Sequence, residues 1–138
     1  MGLNTDFTSI EYLKTGNSLQ QKTYRIITEY NILETLSKYN PIVVGTIPID
    51  IHIESSDVDI ILESNEINIL AIHLERHFFQ FKNYHLEIKN ENILICNFLI
   101  EDLPFEIYAC STKTIEQNGY RHMIIENEIL NHFGNDFK

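Results

Sequence analysis

Two aspartates separated by one residue begin an apolar run in the middle of the chain. Asp57 and Asp59 flank Val58, and Ile60 and Ile61 continue the run. Side chains alternate between the two faces of a β-strand, so the two carboxylates point the same way if this run is a strand. Neighbouring carboxylates repel each other and lose solvation unless a cation lies between them. Such oxygen ligands suit Mg²⁺ (or Mn²⁺), which usually binds one or two carboxylates together with substrate phosphates.

A third carboxylate, Glu106, lies in another strand-like run, and its neighbours Phe105 and Ile107 are apolar. A charge in an apolar strand is costly unless it is paired or bound to a metal. If this strand lies beside the strand that carries Asp57 and Asp59, the three carboxylates converge. Three acids around one or two Mg²⁺ ions make a phosphoryl-transfer site. A solvent-facing Glu106 on a half-exposed sheet is the alternative.

The secondary-structure elements that must position these acids belong to one predicted domain over residues 1–138, because a chain of this length suits a single hydrophobic core. Apolar periodicity and helix-stop signals predict helical segments. The predicted helical segments are 9–14, a longer helix that Ser18 caps, 32–36, 66–79 and 117–133. Alternation and apolar runs predict strands over 42–44, 58–62, 84–88, 93–100 and 105–110. We therefore expect an α+β fold, in which one mixed β-sheet packs against helices.

The sequence gives further detail on the strands. The continuous apolar run Ile42–Val44 is typical of a central strand buried on both faces. After it, residues 47–54 alternate like a strand, but Pro48 favours an edge or a loop. The turn residues 90–92 predict that strands 84–88 and 93–100 form a hairpin.

The charge of the chain bears on its partners. Ten Lys and Arg against twenty Asp and Glu give a formal net charge of −10. This field repels polyanions, so nucleic-acid binding as the main activity is disfavoured, and a cationic small molecule or a basic protein surface is an easier partner. The alternative is that the acidity only keeps a small domain soluble.

The cellular location follows from what the sequence lacks. No apolar run approaches the roughly 20 residues of a membrane helix, and the N-terminus lacks the pattern of a signal peptide. Cys96 and Cys110 lie in apolar runs without a metal-binding spacing, which predicts reduced core residues. We expect a cytoplasmic protein with no membrane partner.

Several sequence blocks resemble a known family. Gly45-Thr46 followed by Ser56-Asp57-Val58-Asp59-Ile60 resembles the signature of the nucleotidyltransferase superfamily, which has a polymerase-beta-like fold. That signature is Gly-Ser at a strand end, a loop, Asp-x-Asp and a third acid on a later strand; here Thr replaces Ser. More narrowly, four blocks together resemble a small bacterial branch of unknown function within that superfamily. These blocks are residues 12–17, 40–49, 56–60 and 120–126.

The resemblance implies a role for each matching residue. Gly45 and Thr46 would cradle the triphosphate of a nucleotide, since glycine permits close backbone approach and the threonine hydroxyl donates to phosphate. Asp57 and Asp59 would bind Mg²⁺, and Glu106 would be the third metal ligand or a catalytic base.

Three further residues are candidate nucleotide-binding residues. Ser56 belongs to the motif itself. Arg121 and His122 begin the last predicted helix, where the planar Arg fork suits phosphate and His suits proton transfer near neutral pH. The alternative for Arg121 is a salt bridge to Glu126 or to an acid of the site.

The resemblance implies a Mg²⁺-dependent nucleotidyltransferase. It would move a nucleoside monophosphate from a nucleoside triphosphate such as ATP to a hydroxyl of a small molecule or protein. One alternative is a non-catalytic binding or regulatory module of the same fold, such as one half of a toxin–antitoxin-like pair. Another is a phosphohydrolase that uses the same acids. Fold alone does not decide among them.

Overall fold

The computed structural model describes residues 5–49 and 57–133 of the chain. In these ranges the chain forms helices and one five-stranded sheet, which confirms the predicted α+β fold. The α-helices are α1 (Ser18–Glu29), α2 (Ile32–Leu36), α3 (Ile67–Phe78) and α4 (Asn118–Phe133). The strands are β1 (Ile42–Val44), β2 (Val58–Glu63), β3 (Lys82–Lys89), β4 (Ile93–Ile100) and β5 (Leu103–Cys110). Short 3₁₀ helices cover Glu11–Thr15, Ser37–Tyr39 and Thr114–Glu116.

The sheet has the strand order β1-β2-β5-β4-β3 and is mixed. Strands β2 and β5 are parallel, and the other neighbouring pairs are antiparallel. The predicted hairpin is confirmed as β3 and β4, joined by a turn in which Asn90 and Glu91 have positive φ. The chain returns from that hairpin to place β5 directly beside β2, so the sequence-distant Asp59 and Glu106 become neighbours.

The prediction that Ile42–Val44 is a central strand is wrong in position and right in burial. Within the part of the chain that the structure describes, β1 pairs with β2 alone and forms one edge of the sheet. All three residues are nevertheless buried, because Val43 joins the main core while Ile42 and Val44 pack on the opposite face. A continuous apolar run indicates that both faces of a strand are buried. An edge strand shows the same pattern when other elements cover both of its faces.

The main core lies between one face of the sheet and helices α1 to α3. Its centre is a series of stacked aromatic rings: Phe98 lies 5.3 Å from Phe105 and 5.2 Å from Phe78, measured between ring centroids. Leu70 and Leu74 of α3 are fully buried there as well. Burial of each such side chain contributes about 1.5–3 kcal/mol. The outcome is a rigid sheet face that fixes β5 and β2 relative to each other.

The opposite face of the sheet is covered by α4, and this face carries the predicted acids. Met123 of α4 is buried against Ile42, Val44 and Ile61. The helix leaves Glu106 and the residues that share its face of β5, Pro104 and Tyr108, only half-buried. No helix within the described residues is long and apolar enough to cross a membrane.

The start of α1 helps to position the segment that follows β1. Asn17, rather than the predicted Ser18, caps the helix, because its side chain accepts the Gln20 N–H in a reciprocal capping box. The buried Gln20 also donates through Nε2 to the carbonyls of Ile47 and Pro48, at 2.9 and 3.3 Å. These bonds hold residues 47–48 in a non-strand conformation. The alternating run over 47–54 is described only to residue 49, and there it is not a strand.

Candidate functional site

Three carboxylates meet at the point where β2 and β5 run side by side. Asp59 and Glu106 are register partners on these parallel strands, and Asp57 directly precedes β2. Each of the three offers an oxygen, and these oxygens all lie within 4.8 Å of one another. Side-chain alternation explains the arrangement: Phe105 and Ile107 enter the core, so Glu106 faces the other way, towards the aspartates. We call Asp57, Asp59 and Glu106 the acid triad.

The electrostatics of the acid triad are those of crowded, partly desolvated negative charges. Burial raises the pKa of Asp59 to about 7, with further contributions from the charges of Asp57 and Glu106. The pKa of Glu106 is also raised, chiefly by burial and then by Asp57, and Lys89 opposes this in part. No side chain among residues 5–49 and 57–133 forms an ion pair or a hydrogen bond with the acid triad.

The acid triad therefore fits a hard divalent cation. Its donors are all carboxylate oxygens, they lie close enough to share one ion, and no cation of the described chain neutralises them by direct contact. Magnesium and manganese take such oxygen sets. Asp57, Asp59 and Glu106 are the residues that can hold the ion.

Gly45 lies against the acid triad at the end of β1. Val44 is the register partner of Asp59, so the next residue, Gly45, passes close to that carboxylate. Its φ is +93°, and a Cβ built at this position would come within 2.6 Å of Asp59 Oδ2. Both facts require glycine, since other residues rarely adopt this φ and would collide with the carboxylate. Glycine thus lets the backbone at the end of β1 pass directly beside the Asp59 carboxylate. Thr46 follows and is half-buried.

A cavity of about 540 Å³ lies beside Asp59 and Glu106 of the acid triad; Asp57 is not one of its lining residues. Gly45, Asp59 and Glu106 line it from the sheet, and Gln117 and His122 line it from the start of α4. Its size is that of a small-molecule site. The two faces of the cavity come from the sheet and from the N-terminal turns of α4.

The remaining predicted site residues are Ser56, Arg121 and His122, and the structure describes two of them. His122 lines the cavity, whereas the neighbouring Arg121 is exposed and is not one of the lining residues. Arg121 forms no ion pair with Glu126 among the described residues. Ser56 lies outside the described residues. The nucleotide-binding roles of Ser56, Arg121 and His122 stay predictions.

Sequence reasoning did not assign most of the cavity lining to the site, including four residues with polar side chains, Tyr108, Glu116, Gln117 and Glu126. Tyr108 was within reach, because it lies two residues after Glu106 on β5 and therefore shares its face. Glu116, Gln117 and Glu126 also line the cavity. They reach it because α4 and the preceding 3₁₀ helix fold back over β2, and no local sequence signal marks that packing.

Comparison with solved structures shows what fold this chain shares. One similar chain belongs to a structure described as the polymerase core of TRAMP, an RNA surveillance complex. The TM-score is 0.51 and the sequence identity is 16%, over 88% of this chain and 39% of that chain. The chain thus spans about two fifths of that relative's length. The likeness is one of fold: the chain shares the fold of part of a polymerase core, in agreement with the expected α+β architecture.

Comparison by sequence gives the family. No curated protein matches the chain. The family model described as a domain of unknown function, DUF4269, matches residues 25–138. This range contains β1 to β5, α3, α4 and the whole acid triad. The chain belongs to the DUF4269 family.

Proposed function

We propose that this chain is a Mg²⁺-dependent nucleotidyltransferase that moves a nucleoside monophosphate from a nucleoside triphosphate such as ATP to a hydroxyl group. The observation that carries the proposal is the acid triad, with three carboxylate oxygens within 4.8 Å directly beside the Gly45 backbone. The fold shared with a polymerase core supports it. The acceptor is a small molecule or a protein, because a net charge of −10 opposes nucleic acid.

Asp57, Asp59 and Glu106 would hold Mg²⁺, or Mn²⁺ in its place. The ion, when bound, would neutralise the charge of the phosphates during transfer. Gly45 and Thr46 would receive the triphosphate, the first through its backbone N–H and the second through its hydroxyl. Because the described lining of the cavity includes no Lys or Arg, the bound ion would supply most of the positive charge at the phosphates.

The transfer is an in-line substitution at the α-phosphorus. The acceptor oxygen forms a bond to that phosphorus while the bond to the oxygen that bridges to the β-phosphorus breaks, and pyrophosphate leaves. The hydroxyl proton passes to a carboxylate, for which Glu106 is suited because its pKa is raised and it lines the cavity. Most of the acceleration would come from positioning and charge stabilisation. His122, which lines the cavity, would contact the nucleotide, as would Arg121 beside it in sequence and Ser56 in the motif.

Binding and turnover measurements with matched variants test this function. Wild-type protein is titrated with ATP and the other triphosphates with and without Mg²⁺, and pyrophosphate release is followed in the presence of candidate acceptors. Asp57→Asn and Asp59→Asn should abolish the metal-dependent part of binding. Asp102→Asn, at an exposed turn with φ +69° that asparagine tolerates, is the control and should change nothing. Absence of metal-dependent binding in the wild type would refute the proposal.

A non-catalytic nucleotide-binding or regulatory module is the second candidate. It is favoured by the absence of Lys and Arg from the described lining of the cavity, since phosphoryl transfer commonly uses such residues to stabilise developing charge. Metal-dependent triphosphate binding that is lost in Asp57→Asn, without pyrophosphate release for any acceptor, would support this module over the enzyme.

A further inference from the structure

Strand β3 forms the edge of the sheet opposite β1, and it is the longer of the two edges. It spans eight residues, Lys82–Lys89, whereas β1 spans three. Within the part of the chain that the structure describes, β3 pairs with β4 alone, and this pairing is regular over residues 85–89. Every second residue of such a strand directs its N–H and C=O away from the sheet. A long edge of this kind is a ready template for another strand, and natural proteins usually shorten or cover it.

An apolar surface adjoins this edge on the side of the sheet that α3 covers. Leu86 of β3 faces that side, because its register partner Cys96 is a fully buried core residue. A groove of about 560 Å³ lies beside Leu86, and Ile72 and Phe79 of α3 also line it. Both of these α3 side chains are 62% exposed, and Ile88, on the same face as Leu86, is 39% exposed. Exposed apolar side chains that adjoin one another in this way mark an association surface.

The charges of this surface differ from those of the chain as a whole. The chain has a net charge of −10, but β3 and the groove carry three cations, Arg76, Lys82 and Lys89, against two acids, Glu75 and Glu87. Glu75 and Arg76 line the groove, and neither forms an ion pair within the described residues. A basic partner would be attracted to the acidic remainder of the chain rather than to this surface. A nearly neutral surface that carries both signs suits a second copy of itself.

Two-fold symmetry makes the β3 edge complementary to itself. An axis perpendicular to the sheet at Leu86 sets two copies of β3 antiparallel and keeps each face of the sheet on its own side. Leu86 then lies opposite its own copy, Tyr84 opposite Ile88, and His85 opposite Glu87. The first two pairs are apolar, and the third joins an imidazole to a carboxylate. An axis at Glu87 would instead set two carboxylates opposite each other, and an axis nearer either end of β3 would pair fewer residues.

We propose that two copies of this chain associate through β3, in an antiparallel register centred on Leu86 that joins two five-stranded sheets into one. The two α3 helices then lie on the same side of the joined sheet, and their grooves meet across the two-fold axis. This contact removes Ile72 and Phe79 of both copies from water, which favours association. The acid triad lies on β2 and β5 and faces the other side of the sheet, so the inference does not rest on the proposed function.

Sedimentation equilibrium of the metal-free protein over a wide range of concentrations tests the association. We expect a reversible monomer–dimer equilibrium for the wild type. Ile72→Arg should weaken the dimer about tenfold or more, because an unpaired charge is costly to bury in an interface. Ile125→Arg is the matched control, since Ile125 is an exposed isoleucine on α4 and lies outside the groove, and it should leave the dissociation constant unchanged. Circular dichroism and thermal melting show whether both variants are folded.

Three results of these measurements would overturn the proposal. The first is a wild-type protein that stays monomeric at every concentration. The second is such a monomer with β3 amides protected from hydrogen exchange, which would show that another segment of the same chain covers the edge. The third is equal weakening of the dimer by Ile72→Arg and Ile125→Arg, which would assign the interface to another surface.

Single cysteine substitutions test the register. Leu86→Cys brings two thiols opposite each other at the two-fold axis, so oxidation should yield a disulfide-linked dimer. Ile88→Cys lies on the same face, but its two copies are four residues apart along the paired strands, about 14 Å. That separation exceeds the roughly 7 Å between Cα atoms that a disulfide can bridge, so this variant should stay uncrosslinked, like the wild type with its native cysteines. Cross-linking of Ile88→Cys but not of Leu86→Cys, or of neither, would refute the register.

Discussion

Replacement of Asp59 by asparagine should stabilise the metal-free protein, and only at high pH. The Asp59 carboxylate has an ordinary pKa near 3.8 in the unfolded chain and a pKa of about 7 in the folded one. Its folded state therefore binds the proton more tightly, and stability falls as pH rises from about 4 through about 7. This difference in pKa corresponds to about 4 kcal/mol of folding free energy at a pH well above both values. Because the side chain is partly exposed to solvent, we expect a smaller loss of stability, about 1–2 kcal/mol.

Chemical denaturation of wild type and Asp59→Asn at pH 5 and pH 8, in the presence of a chelator, measures the effect. At pH 8 the variant should be more stable by about 1–2 kcal/mol, because it removes a partly buried charge and, to a smaller extent, its repulsion by Asp57 and Glu106. At pH 5 the difference should shrink to a small fraction of that, since wild-type Asp59 is then largely protonated when folded. Asp102→Asn, at an exposed position, is the control and should show no pH-dependent difference.

Addition of Mg²⁺ at pH 8 should reverse the order of stability. A ligand that binds only the folded state stabilises it by mass action, so wild type gains and the variant does not. A variant that is equally stabilised at pH 5 and pH 8 would refute the reasoning, because the effect would not then come from the charge of Asp59. A destabilised variant at pH 8 without metal would refute it as well.

Three further outcomes follow from the same structure. Gly45→Ala should lower the free energy of unfolding by about 1–3 kcal/mol in urea denaturation, because the residue has φ +93° and its Cβ would collide with Asp59. Gly119→Ala in α4 is the control and should be close to neutral, because the nearest atom to a Cβ there lies at 3.4 Å. Calorimetric titration with Mg²⁺, repeated in two buffers, should show that each bound ion releases up to about one proton at pH 6 and almost none at pH 8.5. The reason is that the pKa of Asp59 is about 7 and the ion binds the deprotonated carboxylate. Equal proton release at both pH values would contradict this prediction. Phe98→Ala should lower the free energy of unfolding by about 3–5 kcal/mol, because it removes the middle ring of the stacked core; a loss below about 1 kcal/mol would contradict the described packing.

Much of the acid triad could be predicted from sequence because it follows from alternation along strands. Asp57 and Asp59 share a face by their spacing, and Glu106 faces away from Phe105 and Ile107 for the same reason. That the two strands are neighbours did not follow from the residues themselves. The parallel pairing of β2 and β5 brings Asp59 and Glu106 into register across more than forty residues of chain.

The parts that could not be predicted depend on long-range packing. The edge position of β1 is one, because its burial comes from elements that cover both of its faces rather than from flanking strands. The α4 side of the cavity is another. Nothing local assigned Glu116, Gln117 or Glu126 to a site, and they line the same cavity as Asp59 and Glu106 because α4 packs over β1 and β2 through Met123.

Titration of the protein with Mn²⁺, followed by the electron paramagnetic resonance signal of the free ion, tests the central claim most directly. That claim is that the three carboxylates of the acid triad hold a divalent cation together. Wild-type protein at pH 8 should take up Mn²⁺ at a site that Mg²⁺ competes for, and Asp57→Asn, Asp59→Asn and Glu106→Gln should each weaken uptake at least tenfold, whereas Asp102→Asn should not. Uptake that is the same in all five proteins would contradict the claim.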